Sequence, residues 1–221
     1  MRKTEFAIGE HYHILNRGVD KREVFMDDRD YHRFLISVML LNDEKDGLLE
    51  VWRNLQKCNS EISFLEFRRR NLQKPLVEII AYCFNPNHYH FILKQLEDRG
   101  IEKFMHRLGT AYTMFFNKKY KRSGALFQGR FKSIYIDSND YLLYLSAYVN
   151  KNHFIHGYGN GDWKYSSLAE YRGDKNEENK ICNPIPVLGQ FRNLKDYHEF
   201  LEANALYLKN KKEEQKYLLE E

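Results

Sequence analysis

Cysteine is scarce in this sequence, and long apolar runs are missing from it. The three cysteines, Cys58, Cys83 and Cys182, are odd in number and form no CxxC pair. Neither a disulfide framework nor a zinc–thiolate site is therefore predicted. No run approaches the roughly 20 apolar residues that span a bilayer, and the first residues lack the apolar stretch of a signal peptide. We expect a protein of the reducing cytoplasm with no membrane partner.

A large excess of one charge is also missing. The chain of 221 residues has 35 Lys and Arg against 31 Asp and Glu, a net charge of +4, which does not by itself indicate a nucleic-acid-binding protein. Hydrophobic residues make up 43% of the chain and aromatic residues 15%. This is enough apolar material for a well-filled core and excludes disorder over the whole length. The length suits one domain with appendages, or two small domains.

The hydrophobic periodicity predicts alternating strands and helices. Strands are predicted where polar and apolar residues alternate, and helices where apolar residues recur every three or four positions. The predicted order is a strand (11–17), a helix (31–41), a charged, partly helical insertion (43–75), a hairpin (77–84 and 88–94), a helix (101–120), a strand (130–136) and a helix (137 or 138 to about 152). This order favours an α+β fold, a ferredoxin-like two-layer sandwich with an antiparallel sheet and helices on one face. The pattern of residues 195–221 predicts one or two short helices, which would form a C-terminal helical extension.

Two histidines flank a tyrosine, His88-Tyr89-His90, directly after the turn 85–87 (NPN). On a strand, side chains at i and i+2 point to the same face, so the two imidazoles lie side by side. Two protein nitrogens make an open metal site with room for a substrate oxygen. The alternative is a pair of histidines that hydrogen-bond on a sheet surface. A second such pair, His11 and His13, is expected on a neighbouring strand and is not counted as a ligand set.

Tyr148 and Asn152 are four residues apart and so share a face of any helix that carries them. An amide oxygen can complete a cation site begun by two imidazoles, and this mixture of ligands favours Mg²⁺ or Mn²⁺. The Tyr148 phenol is then a candidate nucleophile that must lose its proton during attack, because its ordinary pKa is about 10. The alternative is that Tyr141, Tyr144 and Tyr148 are packing residues of an amphipathic helix.

Basic and aromatic side chains interleave in residues 117–136, where no acid occurs before Asp137. Such a stretch suits phosphate contacts and base stacking on single strands. The alternative is a solvated surface after a helix. The candidate DNA contacts are Arg17, Arg122, Arg130 and Lys132.

Six stretches of the chain together form a recognisable pattern. They are 12–25 (YHILNRGVDKREVF), 28–35 (DRDYHRFL), 81–93 (AYCFNPNHYHFIL), 112–133 (YTMFFNKKYKRSGALFQGRFKS), 140–152 (DYLLYLSAYVNKN) and, weakly, 165–171 (YSSLAEY). Each motif is degenerate, but together they cover most of residues 11–171. In this order they resemble the single-tyrosine HUH transposases, and more closely their REP-associated tyrosine transposase branch.

The resemblance implies a role for each candidate residue. His88 and His90 would be the HUH pair on a central strand of a ferredoxin-like sheet, Tyr148 the nucleophile and Asn152 the third metal ligand. The chain departs from the family in the length of the 43–75 insertion, and in having Asn152-His153 where the family commonly has Asn-Pro. The implied division is a transposase domain over 1–157, containing the insertion, and a partly helical extension over 158–221.

The implied function is a DNA strand transferase. It would cut and rejoin single-stranded, hairpin-bearing DNA through a 5′-phosphotyrosine, with Mg²⁺ or Mn²⁺ as cofactor, and would act as a monomer or a homodimer. Two alternatives stay open. One is a non-catalytic module that binds single-stranded nucleic acid on a ferredoxin-like sheet, and the other is a metallonuclease that uses water and forms no adduct.

Overall fold

A four-stranded antiparallel sheet lies at the centre of the molecule. The computed structural model describes residues 5–58, 61–72, 74–159, 161–174 and 180–217. The strands within these ranges are β1 (His11–Arg17), β2 (Val77–Asn85), β3 (His88–Gln95) and β4 (Lys132–Tyr135). Their order across the sheet is β2-β3-β1-β4, and all neighbours are antiparallel. The predicted antiparallel sheet of an α+β fold is confirmed, and the histidine-bearing strand β3 is central.

The described helices include three short ones, between residues 152 and 188, that the sequence did not predict. In chain order, the described helices are α1 (Asp28–Leu41), α2 (Leu48–Lys57), α3 (Phe64–Asn71), α4 (Gly100–Lys119), α5 (Asn139–Asn150), α6 (Asn152–Ile155), α7 (Leu168–Tyr171), α8 (Ile185–Leu188) and α9 (Leu194–Tyr217). Within the described ranges, no helix combines the length and apolar character needed to cross a membrane.

Helices α1 and α4 cover one face of the sheet. The alternation along β3 sends Tyr89, Phe91 and Leu93 to this face, and all three are buried. Phe34 of α1 packs on Tyr89, with ring centroids 5.5 Å apart, and Phe104 of α4 packs on Phe91 at 6.2 Å. The main hydrophobic core therefore lies between this helix pair and the sheet, and the histidines of β3 are left to the opposite face.

Helix α5 lies on that opposite face. Ser138 begins it, since its side-chain oxygen accepts the N–H of Tyr141 at 3.3 Å, as the sequence predicts. The sequence placed helices on one face, and the structure adds α5 as a partial third layer that brings Tyr148 against the ring of His90. The catalytic candidates thus meet between β3 and α5.

Residues beyond 157 continue the same core. The Trp163 indole donates to the Phe84 carbonyl at 2.8 Å, along the outer edge of β2. Helix α9 is one helix of 24 residues, where the sequence suggested one or two short ones. Tyr197, Leu201 and Ala205 recur at a spacing of four and are fully buried, which gives α9 a continuous apolar stripe. The division of the chain at residue 157 stays a prediction.

The insertion at 43–75 is partly helical, as predicted, and forms α2 and α3. Trp52 of α2 packs on Phe67 of α3 with ring centroids 5.3 Å apart, and both belong to a small separate cluster with Leu40 and Leu48. In the last turn of α3, Arg70 pairs with Glu66 one turn earlier. The insertion therefore folds into two packed helices with a small hydrophobic core of their own.

Candidate active site

The turn that precedes the histidines is hydrogen-bonded to the loop that follows β1. The Pro86 carbonyl accepts the N–H groups of Val24 and Phe25 at 2.7 and 3.0 Å. Gly18 is the first residue of this loop, and its N–H donates to the Asn87 carbonyl at 2.9 Å. The backbone is so close here that a Cβ added to Gly18 would lie 2.3 Å from the Arg22 carbonyl oxygen. Only glycine fits there, and the start of β3 is fixed as a result.

Hydrogen bonds determine which nitrogen of His88 carries the proton. The Asn87 side-chain oxygen lies 2.5 Å from Nδ1 of His88 and also accepts the Tyr158 hydroxyl at 2.9 Å. Because that oxygen only accepts, Nδ1 carries the hydrogen, an assignment made from the network. The lone pair is then on Nε2, which lies 3.0 Å from Oδ1 of Asn152. Burial lowers the pKa of His88 to about 4, so the imidazole is neutral at pH 7.

His90 is held by a histidine of the neighbouring strand. Its Nδ1 lies 2.8 Å from Nε2 of His13, and the two rings stack with centroids 5.0 Å apart. Burial lowers the pKa of His13 to about 4, and burial together with the charges of neighbouring histidines lowers that of His90. Both rings are therefore neutral, and one proton is shared between Nε2 of His13 and Nδ1 of His90. When Nδ1 of His90 donates it, the Nε2 lone pair is free for a metal ion.

Tyr148 meets these histidines within one chain. Its ring stands edge-on to His90, with centroids 5.5 Å apart and an interplanar angle of 88°, and it lies 6.3 Å from the ring of His13. Burial raises the pKa of the Tyr148 hydroxyl, and the interaction with the Asn152 side chain offsets part of that rise. The phenol is half-buried, so a substrate can still approach it.

Asn152 reaches the site from α6, because α5 stops two residues short of the predicted end. Lys151 adopts φ −106° and ψ 14°, and its N–H bonds to the carbonyls of both Ala147 and Val149, which tightens the turn and ends the helix. Asn152 is fully buried. Its Oδ1 accepts a hydrogen from the Asn85 amide at 2.6 Å. Its Nδ2 has no partner among the described residues.

The donor set suits a divalent cation. Among the described residues, no group of three or more His, Cys, Asp or Glu side chains could hold a metal ion, but the candidate set here is two imidazoles and one amide oxygen. Nε2 of His88 and Oδ1 of Asn152 both converge on the amide nitrogen of Asn85, at 3.0 and 2.6 Å. The Asn85 amide satisfies both acceptors here, and an imidazole nitrogen and an amide oxygen held this close together are ligand types that a divalent cation takes.

The four predicted DNA contacts separate in space. Arg17 is the cross-strand neighbour of His88, so their side chains share one face of the sheet. Lys132 is on that face too, because it pairs with Leu15, the neighbour of His90. Arg130 instead lines a cleft of about 850 Å³ with Tyr89, on the opposite side of the sheet. The Arg122 guanidinium bonds to Oδ1 of Asn117 at 2.8 Å and to the Ala125 carbonyl at 3.0 Å, so it closes the loop after α4. Only Arg17 and Lys132 are on the face of the histidines.

Several residues of the site were not predicted from the sequence. His156 packs on His88 with ring centroids 4.9 Å apart, and Nζ of Lys212 lies 2.8 Å from Nδ1 of His156. Asn85 and Asn87 flank Pro86 in the motif, which was a usable signal for them. His156 is four residues after Asn152, a weaker signal. Nothing in the sequence pattern pointed to Lys212.

Comparison with known proteins identifies the segment that carries these residues. Residues 53–152 match the family model of IS200-like transposases, and this segment contains His88, His90, Tyr148 and Asn152. Over this segment the chain is similar to the IS200-like transposases. The resemblance found in the sequence is therefore confirmed. The IS200-like match supports a role for the chain as a DNA transposase.

A solved structure shares the fold. It is a REP-associated tyrosine transposase bound to a REP hairpin, with a TM-score of 0.50 and 13% sequence identity, and the match covers 83% of this chain and 92% of that one. At this identity the likeness shows the fold alone, and it confirms the α+β architecture of the chain. No curated protein matches the sequence.

Proposed function

We propose that this chain is a DNA strand transferase that cuts and rejoins single-stranded, hairpin-bearing DNA through a phosphotyrosine. One observation carries the proposal. The Tyr148 ring lies 5.5 Å from that of His90 in the same chain, beside Asn152, whose amide oxygen is 3.0 Å from Nε2 of His88. A nucleophile and three candidate ligands thus share one small volume, as metal-assisted attack on a phosphodiester requires.

The reaction would proceed by transesterification. The Tyr148 oxygen attacks phosphorus, the bond from phosphorus to the 3′ oxygen breaks, and the leaving strand takes up a proton as a 3′-hydroxyl. The 5′-phosphate stays on Tyr148. Attack on that phosphotyrosine by another 3′-hydroxyl reverses the step and joins new ends. The number of phosphoester bonds is unchanged, so no nucleotide cofactor is needed.

The side chains of the site have separate tasks. His88, His90 and Asn152 would hold Mg²⁺ or Mn²⁺, which when bound polarises the scissile phosphate. Asn87 and His13 fix the protonated nitrogens of the two histidines. Because burial raises the pKa of Tyr148, its hydroxyl is protonated at rest and must release the proton during attack.

The proposed partner is a single strand that carries a hairpin. A solved transposase with this fold is bound to a REP hairpin, which supports the choice of ligand. Arg17 and Lys132 are the proposed DNA contacts on the face of the histidines, and Arg122 and Arg130 are proposed to contact DNA outside that face. A site built within one chain suits a monomer as well as a homodimer, and we propose that it acts in the cytoplasm.

The deciding experiment is capture of the covalent intermediate. The protein is incubated with a hairpin-bearing single-stranded oligonucleotide and Mn²⁺, and adducts are separated under denaturing conditions. We expect an adduct with the unmodified protein and with the control Tyr144→Phe, and none with Tyr148→Phe. An adduct that persists in Tyr148→Phe would defeat the assignment. A free 5′-phosphate without adduct would indicate a hydrolytic nuclease, and binding without cleavage a non-catalytic module.

A further inference from the structure

Two cationic side chains from opposite ends of the chain converge beside His88. Arg17 of β1 is the cross-strand neighbour of His88, and their side chains are on the same face of the sheet. Lys212 of α9 approaches from the other side, with Nζ 2.8 Å from Nδ1 of His156, whose ring packs on His88 at 4.9 Å. The site thus has two positive charges at its edge.

In the described part of the chain, these two charges have no acidic partner. Within the described residues, neither Arg17 nor Lys212 makes a salt bridge, and Nε of Arg17 is buried without a hydrogen-bond partner. By contrast, the Lys119 ammonium is neutralised by Asp27 at 2.7 Å and the Lys151 ammonium by Glu202 at 2.5 Å.

The two cations are also close enough to act on each other. Burial lowers the pKa of the Lys212 ammonium, and the charge of Arg17 lowers it further. Two like charges held together without a counter-charge are a binding site for an anion.

Helix α9 is fixed where it presents Lys212. The Tyr197 hydroxyl accepts the Asn150 amide at 2.9 Å, which joins α9 to α5. One turn before Lys212, Nζ of Lys209 lies 4.3 Å from the centre of the Phe154 ring of α6. The ammonium of Lys212 also donates to the Ile155 carbonyl at 3.4 Å. Lys212 therefore reaches the site from an anchored helix.

We infer that Arg17 and Lys212 form a phosphate-binding site for the DNA backbone, which receives the phosphate next to the scissile linkage. The inference rests on the proposed function, since it names the part of the substrate that these residues hold. The planar guanidinium of Arg17 can bind two phosphate oxygens, whereas the Lys212 ammonium acts as a mobile point charge. Lys212 is a positioning residue here, and it lies outside the segment 53–152 that matches the family.

The test compares two neighbouring lysines of α9. Lys211 carries the same charge, but its ammonium lies 5.8 Å from the centre of the Tyr207 ring, away from the site. We expect Lys212→Ala to weaken binding of the hairpin oligonucleotide about 10-fold and to reduce the slope of log affinity against log salt by about one. Lys211→Ala should stay within about twofold of the unmodified protein, and Lys212→Arg should restore most of the affinity. Thermal unfolding of each variant shows whether the fold is intact.

A neutral phosphate links the effect to one position on the DNA. An oligonucleotide with a methylphosphonate next to the scissile linkage lacks the charge that Lys212 is inferred to bind. On this DNA, Lys212→Ala should cost no further affinity. Equal affinities for the Lys211 and Lys212 variants on normal DNA would overturn the inference, as would tighter binding or faster adduct formation by Lys212→Ala. In either case the adduct on Tyr148 would show that the proposed function stands independently.

Discussion

Asn87 and His13 decide which nitrogens of the paired histidines can accept a cation. A histidine that binds a metal commonly donates its other ring N–H to a neighbouring group, which fixes the ring and its tautomer. Here the Asn87 oxygen takes this role for His88 at 2.5 Å, and His13 takes it for His90 at 2.8 Å. The second histidine pair of the sequence, on β1, thus supports the first instead of forming a site of its own.

Removal of the imidazole at position 13 tests this support. We expect His13→Ala to slow formation of the adduct on Tyr148 by 10- to 100-fold, as is typical when a partner of a metal ligand is lost. The measurement is the single-turnover rate at saturating DNA and Mn²⁺. His11→Ala is the matched control, because His11 is on the same strand and face but is paired with Lys94, away from His90. Equal rates for the two variants would contradict the role given to His13.

At the scale of elements, the loop after β1 and the turn before β3 form one unit. Gly18 and Pro86 make its backbone hydrogen bonds. This unit sets the first residue of β3, and a shift of one residue would turn both histidines into the core. The sequence shows the motifs of both segments but does not show that they pack together, because their contacts join residues that are far apart along the chain.

A methyl group at position 18 should disrupt this unit. An added Cβ would lie 2.3 Å from the Arg22 carbonyl and 2.9 Å from Cγ1 of Val24, so Gly18→Ala should lower the free energy of unfolding by about 1–3 kcal/mol and reduce DNA cleavage. Gly109 of α4 has open space around its Cβ position, so Gly109→Ala should stabilise the protein by up to about 1 kcal/mol. Urea unfolding measures both. A Gly18→Ala variant as stable as the unmodified protein would refute the argument.

Local pattern predicted the elements but not all of their ends or contacts. The strand 11–17 and the helix over 101–120 agree with the structure to within one residue, because their periodicity is strong and unbroken. The helix predicted to run to Asn152 ends at Asn150, since the turn at Lys151 depends on tertiary contacts such as its ion pair with Glu202. The closeness of Lys212 to the site has the same cause. Such contacts leave no periodic trace in a sequence.

At the scale of the whole molecule, one buried amide joins three parts of the chain. Asn150 at the end of α5 donates to the Tyr197 hydroxyl of α9 at 2.9 Å and accepts the Ser167 hydroxyl at 2.5 Å. Ser167 in turn donates its backbone N–H to the Tyr82 carbonyl of β2. The sheet, the tyrosine-bearing helix and the C-terminal helix are therefore expected to unfold together.

Buried neutral histidines should make this molecule sensitive to acid. Burial lowers the pKa of both His13 and His88 from 6.5 to about 4. Between those values the unfolded chain binds protons that the folded chain does not, so the free energy of unfolding falls as the pH falls from 6.5 to 4. Each such histidine contributes a slope of up to about 1.4 kcal/mol per pH unit.

Urea unfolding at several pH values between 7 and 4 measures this slope. The variant His13→Gln should show a shallower dependence, because it removes one group that takes up a proton only after unfolding. An unchanged slope in this variant would contradict the pKa shift assigned to His13. Loss of stability through Asp27, whose pKa is lowered by its hydrogen bond with Lys119, belongs to a lower range, below about pH 3.8.

The placement of Tyr148 in the middle of α5 bears on how strands would be exchanged. This helix lies between the sheet and α9, and Asn150, two residues further on, is hydrogen-bonded to Tyr197 of α9 and to Ser167. Under the proposed function, a cleaved DNA end joined to Tyr148 would be held in place, because the helix that carries Tyr148 is packed on both sides. Exchange would then depend on the DNA: the acceptor strand must travel to a stationary end, so the folding of the hairpin itself would govern which strands are brought together.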